Sequence, residues 1–522
     1  MTSRKTANVQ RLKRSICKVM GQHRDRNLKE PYLVDECEQY GGTAFFIDPT
    51  ILGPNFPLDK KKRYLFTNYH VIDTLDSNEC TLHYPEYGNS YINSRVEFIV
   101  PKFDVAIISV DPSQEHPMWL EGHIANFLEK TPNVTLYENI VKGNSQDVLA
   151  IGFPNLSSDY QICDGIISGR GLGMIQLNIS FNGGNSGGPL FYNSKVIGIC
   201  TASISESEAL GLAVPMTQIL AFFRKWANYS SLILDIPLWG FCCITTTKEY
   251  LQYHNIEESY QGTIVNRVIP NSSVDGIVKE RDIIMGITSG YKRYNVDQYG
   301  LITVEWTDKK VFLDDDEFKT SLDPDDISLT FYQNRTKKIV TKAVHLRPVN
   351  FVVREIYPSW EKNHYVIAGG CVFMNFLMNH FHEDEDGNAD CPTDRTIPIS
   401  YNIAETMKQE NMVVVTHIPF QTHVHNQKVL RPFDRIKKFN NKKVKDIKQF
   451  ETLLKEAILD YNMNGKRDNK KKFIVLDVGK KKVYLNMELL QKDDLKNIDK
   501  DGYPTEKLHL LQLKIKRNKR KR

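Results

Sequence analysis

Gly184-Asn185-Ser186-Gly187-Gly188-Pro189-Leu190 is the stretch on which the reading of this chain turns. A serine hydroxyl is a poor nucleophile until a base takes its proton, and its tetrahedral product needs aligned N–H donors to hold the new oxyanion. Glycines on both sides permit unusual backbone angles and close approach of a substrate. Alone, such a cluster is more often a turn than a nucleophile. Upstream, however, Phe66-Thr67-Asn68-Tyr69-His70-Val71-Ile72 is an apolar strand running into a histidine, whose pKa near ~6.5 suits a general base. Between the two, Phe103-Asp104-Val105-Ala106-Ile107-Ile108-Ser109-Val110 opens an apolar strand with one carboxylate. A buried aspartate there needs a hydrogen-bonded partner, which His70 would supply while Asp104 fixed its tautomer; an aspartate at a strand edge facing solvent is the alternative.

Outward from these motifs, residues 30–215 form a series of short apolar runs broken by turn signals, at 43–47, 64–67, 96–100, 105–110, 148–151, 174–177, 196–201 and 212–214. That pattern belongs to a β-barrel or sandwich. Residues 51–62, with Gly53, Pro54, Pro57 and a lysine run, read as a solvent-facing connection. In 216–226, Ile219, Leu220, Phe222, Phe223 and Trp226 keep helical spacing and close this part of the chain. The 522 residues, at roughly 150 per domain, leave room for about two further domains. One begins near Pro237, with strands at 263–268 and 283–287; the other begins near Val349, with a strand at 412–416 and a helix near 447–458. Residues 461–472 read as a polar loop and the acidic run 314–317 as a solvated one. The expected division is a basic N-terminal segment (1–30), a first domain (31–235), two further domains (236–347 and 348–510) and a basic tail (511–522).

His70, Asp104 and Ser186 stand in the chain order of the chymotrypsin fold, and the motifs resemble those of the HtrA/Deg family of trypsin-like serine proteases. Gly42-Thr43-Ala44-Phe45-Phe46-Ile47, Asp164-Gly165-Ile166-Ile167-Ser168 and Gly211-Leu212-Ala213-Val214-Pro215 extend the match. The resemblance implies a mainly β protein, a chymotrypsin-like double β-barrel followed by two PDZ-like α+β domains. It implies His70 and Asp104 on the first barrel, Ser186 on the second, and an oxyanion hole from the amides of Gly184 and Ser186. It places Phe181, Leu210, Gly211 and Leu212 around the substrate side chain preceding the cut, with no carboxylate where trypsin-like pockets carry one, so small or medium apolar side chains are expected there. Two departures are Gly183, where proline is frequent, and a short 169–174 loop, which bears on allosteric activation.

Leu238-Trp239-Gly240-Phe241 resembles the carboxylate-binding loop of a PDZ domain, where backbone amides capture a peptide C-terminus as the peptide adds as a strand. Gly262-Thr263-Ile264-Val265 and Arg281-Asp282-Ile283-Ile284 follow in family order, with Arg281 where glycine is usual. Ala368-Gly369-Gly370-Cys371-Val372-Phe373-Met374 and Phe433-Asp434-Arg435-Ile436 resemble the second PDZ domain of plant-like Deg proteases, in which that domain tends toward assembly or internal regulation. The implied activity is an ATP-independent serine endopeptidase acting on unfolded or damaged proteins as a homotrimer or a multiple of it. Alternatives are a PDZ scaffold or holdase with an inactive protease domain, and a dedicated maturation protease, for instance of a large DNA virus.

No cofactor or metal is expected. His380, His382 and Cys391, and His423 with His425, lack a complete zinc-ligand spacing and read as surface residues; 384–387 and 499–502 lack the glutamate that closes a calcium loop. Sixty-eight Lys and Arg against 63 Asp and Glu give +5. Nine basic and two acidic residues fall in 1–30, and seven basic with no acidic in 514–522, so the chain between the tails is net acidic. Neither a membrane nor a nucleic-acid partner is expected. An odd number of scattered cysteines, nine, and the lack of an apolar signal core point to a reducing, intracellular location, cytoplasmic or nuclear, or a virion, and not to secretion.

Overall fold

The computed structural model describes residues 10–512 apart from 34–35, 89, 114–123, 142–144, 172, 204–209, 258–260, 350, 382–410, 466 and 499–502. The chain divides into two compact units, 1–23 with 37–349 and 24–36 with 350–522.

The first unit opens with two closed six-stranded barrels, the double barrel expected of the sequence. One is built from β1 (Ile16–His23), β2 (Glu38–Ile47), β3 (Arg63–Thr67), β4 (Glu79–His83), β5 (Tyr91–Val100) and β6 (Val105–Val110); the other from β7 (Asp147–Gly152), β8 (Gln161–Gly171), β9 (Met174–Leu177), β10 (Pro189–Tyr192), β11 (Lys195–Ser203) and β12 (Gly211–Pro215). Strand β1 lies inside the stretch read as a basic N-terminal segment. Ile16, Cys17 and Val19 are buried against β2, in the register Ile16↔Phe45, and the charge of their flanks hid a short apolar run. Residues 24–36, of which 24–30 were expected in the basic N-terminal segment and 31–36 in the first domain, group with the second unit.

Helix α1 (Met216–Lys225) buries Ile219, Leu220, Phe222 and Phe223 in the core that also holds Phe45, Phe66 and Phe103. Each is a large apolar side chain in a filled space, so truncation to alanine costs about 3–5 kcal/mol for a phenylalanine. A third sheet follows in the order β13 (Phe241–Ile244), β14 (Thr263–Val268), β15 (Ile283–Ser289), with β16 (Lys292–Asn295) on β15; a separate pair, β17 (Leu301–Ile302) and β18 (Val311–Phe312), precedes β19 (Ile327–Gln333) and β20 (Lys338–Ala343), which complete the sheet beside β15.

The acidic run 314–317 is not a solvated loop. Asp315 caps helix α2 (Asp316–Ser321) through the Phe318 amide at 3.0 Å, and Glu317 is buried beside Arg170 (3.5 Å) and the Thr217 hydroxyl (3.3 Å). Trp226 Nε1 donates to Thr320 O at 2.9 Å, which seats α2 beside the end of α1. Helix-capping and partnering of a buried carboxylate are what keep this charge density folded.

In the second unit one sheet runs β21 (Tyr365–Ala368), β22 (Cys371–Asn375), β23 (Val413–His417), β24 (Arg435–Phe439), β26 (Phe473–Val478), β27 (Lys481–Asn486), with β25 (Lys442–Lys443) on β24. Helix α3 (Ile447–Asn464) covers it and is followed, after β27, by α4 (Met487–Asn497). Helix α3 extends into the expected polar loop because Tyr461 is buried and its hydroxyl donates to Glu488 at 2.7 Å. No helix among the described residues is long and apolar enough to cross a membrane.

Candidate active site

Antiparallel pairing of β3 with β6, in the register Thr67↔Ala106, brings the end of one strand to the start of the other. His70 follows β3 and Asp104 precedes β6, so 34 residues of separation collapse to a hydrogen bond: His70 Nδ1 lies 2.8 Å from Asp104 Oδ2, and the His70 amide donates to Oδ1 at 2.9 Å. A carboxylate only accepts, so Nδ1 carries the proton and Nε2 is left as the acceptor. Asp104 is not a regular strand residue: φ 54° and ψ 45° place it in the left-handed region, at the end of a short turn over Pro101–Phe103. The His70 ring is pushed above its usual pKa. Burial opposes the imidazolium, but the hydrogen bond and charge of Asp104, with the charge of Asp73, outweigh burial.

Ser186 sits in the turn between β9 and β10, 8% exposed. Gly184 has φ +93° and a Cβ there would stand 2.3 Å from Phe153 O; Gly187 has φ +85° and would meet Thr43 O at 2.0 Å. Only glycine fits either position. Among the described residues, the Gly184 and Ser186 amides have no hydrogen-bond acceptor, while that of Gly187 is taken by Cys200 O (2.9 Å) and Asn68 Oδ1 (2.5 Å). Two buried donors without a partner would cost the fold about 1–3 kcal/mol each. The Ser186 hydroxyl donates to Thr201 O at 2.7 Å.

Three residues that the motif reading passed over tie the halves together. Thr43 donates from its hydroxyl to Gly184 O (2.7 Å), accepts from the Phe153 amide (3.1 Å), and receives Ser186 O on its own amide (2.8 Å). Asn68, fully buried, bridges Asp104 O (2.7 Å) and the Gly187 amide. Thr201 donates its hydroxyl to Asp104 Oδ2 while its carbonyl holds Ser186. Its sequence signal is a hydroxyl residue following the apolar run 196–200, a pattern too common to single Thr201 out.

Phe181 is buried, and a Cβ on Gly211 would lie 2.9 Å from its ring, so these two pack directly; Leu210 and Leu212 are half-buried beside them. Of the residues read as a carboxylate-binding loop, Leu238 donates its amide to Arg347 O (3.1 Å), and Trp239 is a core side chain whose Nε1 donates to Leu313 O (2.9 Å). The amides of Trp239 and Gly240 have no acceptor among the described residues, and Gly240 has φ +88°. His380 is not a surface residue: it is 2% exposed, Nδ1 accepting from the Leu377 amide at 3.1 Å and Nε2 lying 3.3 Å from Leu28 O. His423 and His425 are half-buried, and no group of three potential metal ligands occurs among the described residues. His382, Cys391, 384–387, 499–502, and residues 1–9 and 513–522 of the basic tails, lie outside the described residues.

Residues 42–199 match the family model of the trypsin-like peptidase domain, and residues 357–495 that of a PDZ domain. Putative protease Do-like 3, mitochondrial, from Arabidopsis thaliana is 23% identical over 252 residues, 45% of this chain and 40% of its own length. A probable periplasmic serine endoprotease DegP-like from Marinomonas sp. is 25% identical over 339 residues (60% and 64%), and serine protease HTRA3 of Mus musculus 26% over 271 (46% and 55%). The chain thus spans less than two thirds of the length of these relatives. The solved structure of HtrA-type protease AlgW with decapeptide is similar at a TM-score of 0.43 and 20% identity, over 66% of this chain and 99% of that one. Mitochondrial and periplasmic relatives overturn the expected cytoplasmic or nuclear location. The basic, acid-poor stretch 1–30 has a composition shared by nuclear and organellar addresses, and composition alone does not separate them.

Proposed function

We propose that this chain, which matches the models of a trypsin-like peptidase domain and a PDZ domain and is similar to HtrA- and Do-like serine proteases, is an ATP-independent serine endopeptidase acting on unfolded or damaged proteins. The observation that carries the reading is the hydrogen-bonded His70–Asp104 pair (2.8 Å), joined through Asn68 and Thr201 to a serine turn that holds two unpartnered amides.

In the proposed reaction, the Ser186 hydroxyl turns from Thr201 O to His70 Nε2, which takes its proton as Oγ bonds to the scissile carbonyl carbon. The carbonyl oxygen becomes an oxyanion between the Gly184 and Ser186 amides, donors that have no acceptor among the described residues. Collapse expels the amine, which receives the proton from His70, and leaves an acyl-enzyme; water, deprotonated by the same imidazole, then releases the acid. Asp104 holds the tautomer and stabilises the imidazolium. Phe181, Leu210, Gly211 and Leu212 form an apolar slot for a small or medium side chain before the cut. The free edge of β13, with the Trp239 and Gly240 amides at its start, takes a peptide C-terminus. Assembly as a homotrimer or a multiple of it belongs to the same reading and is measured by light scattering.

Casein cleavage by the purified chain tests the activity, with loss in Ser186→Ala as the expected result. A second reading, a PDZ scaffold or holdase whose peptidase domain is idle, is favoured by one fact: the Ser186 hydroxyl is bonded to Thr201 and not to His70.

A further inference from the structure

The two PDZ-like sheets differ at the strand where a peptide would add. In the 237–347 domain β13 is the end strand, paired only with β14. In the second unit the equivalent strand, β22, follows Ala368-Gly369-Gly370 and pairs with β23, in the register Phe373↔Val415, yet its other edge is taken. Strand β21 pairs there antiparallel, Val366↔Phe373 and Ala368↔Cys371. A PDZ ligand adds antiparallel with its C-terminal end at the carboxylate-binding loop, and β21 runs in that direction, ending at Ala368 beside the glycine turn. Its alternate side chains Val366 and Ala368 are buried in one cluster with Phe450, Leu453 and Leu454 of α3. The slot between strand and helix is filled.

Ala368 continues into the chain and has no terminal carboxylate to offer. One is supplied from elsewhere: the Gly370 amide donates to Asp494 Oδ1 at 2.7 Å. Gly369 and Gly370, at φ +64° and +78°, make a two-residue turn of the kind that closes tight hairpins. A Cβ on Gly369 would stand 2.4 Å from Leu490 Cδ2, so α4 rests directly on this turn. Helix α4 is held a second time where the His423 amide donates to Asp493 Oδ2 at 2.6 Å.

We propose that the peptide-terminus site of the second unit is occupied from within the chain, β21 standing for the added strand and Asp494 for the terminal carboxylate. An external peptide ending in a free carboxylate would have to displace both, so capture of such ends falls to the 237–347 domain. Asp494 is fully buried and its Oδ2 has no hydrogen-bond partner among the described residues, so keeping a carboxyl at this turn costs the fold stability. Burial pushes its pKa up to about 7, against the Gly370 and Gly369 amides, which pull it down.

Hydrogen exchange of the Gly370 amide in the full chain tests this. The parent amide should be protected and indifferent to acetate. In Asp494→Ala it should exchange about tenfold faster or more, and acetate, but not chloride at equal ionic strength, should restore protection by entering the vacated cradle. Protection unchanged in Asp494→Ala, or acetate acting no differently from chloride, would overturn the proposal. Should the alanine variant fail to fold, Asp494→Asn keeps the shape and one acceptor: near-parent protection without an acetate response is expected, and loss of protection counts against the idea. A decapeptide ending in a free valine carboxylate, added to the parent, should leave exchange across 365–375 unchanged; slowed exchange there would show the site open.

Discussion

The two barrels contribute opposite kinds of half-site. On the first, Asp104 is satisfied at both oxygens, by the His70 amide and ring and by Thr201, and His70 is fixed before any substrate arrives. On the second, the Gly184 and Ser186 amides are left without acceptors among the described residues and the Ser186 hydroxyl rests on a backbone carbonyl. The difference follows from when charge appears. The carboxylate is present in the resting protein and must be paired there, whereas the oxyanion exists only during reaction, and donors kept free for it need no rearrangement at that moment. On the proposed mechanism, the half-site that looks incomplete is the one built for the transition state.

Removing one group at a time separates the two contributions. Ser186→Ala should have the largest effect, lowering turnover by about 10⁵- to 10⁶-fold in a peptide-cleavage assay. Asp104→Asn leaves the shape but removes the charge and lets the imidazole present the wrong tautomer; a fall of about 10⁴-fold in kcat is expected. Gly184→Ala, which forces a Cβ against Phe153 O at φ +93°, should cost about 10²- to 10³-fold in kcat with the His70 ionisation unmoved. Thr201→Val removes one hydrogen bond to Asp104 and should cost only about tenfold, together with a shifted acid limb. If Gly184→Ala moved the pH profile and Thr201→Val did not, the separation of the two half-sites would be wrong.

The profile itself has a fixed sign. In the proposed mechanism His70 must be neutral to accept the serine proton, and its pKa is raised above the ordinary ~6.5. Activity should therefore fall as pH drops through a midpoint above that value, and Asp104→Asn should move the midpoint down. For stability the sign is opposite: protonated His70 favours the folded state at low pH, and that contribution fades as pH rises through the raised pKa.

The double barrel was legible in its apolar runs; His70 and Asp104 drew notice because each flanks such a run, where a polar group has few other uses, and Ser186 because glycines bracket it. Thr43, Asn68 and Thr201 were not, since short polar residues near strand ends are common and only their hydrogen bonds distinguish them. Strand β1 was lost beneath a charge count taken over 30 residues. The acidic run at 314–317 misled for a related reason: Asp315 is a local helix cap, but the burial of Glu317 depends on Arg170, a partner 147 residues away in sequence. Asp494, one of two adjacent aspartates on a charged helix, became informative only once β21 was seen to close the edge of β22.

The central claim is that Ser186 is a nucleophile activated by His70, and an active-site fluorophosphonate probe reads this directly. Labelling of the parent chain at Ser186, confirmed by peptide mapping and abolished in both Ser186→Ala and His70→Ala, is the predicted result. A folded parent protein that takes up no label, or that is labelled equally after either substitution, would contradict it.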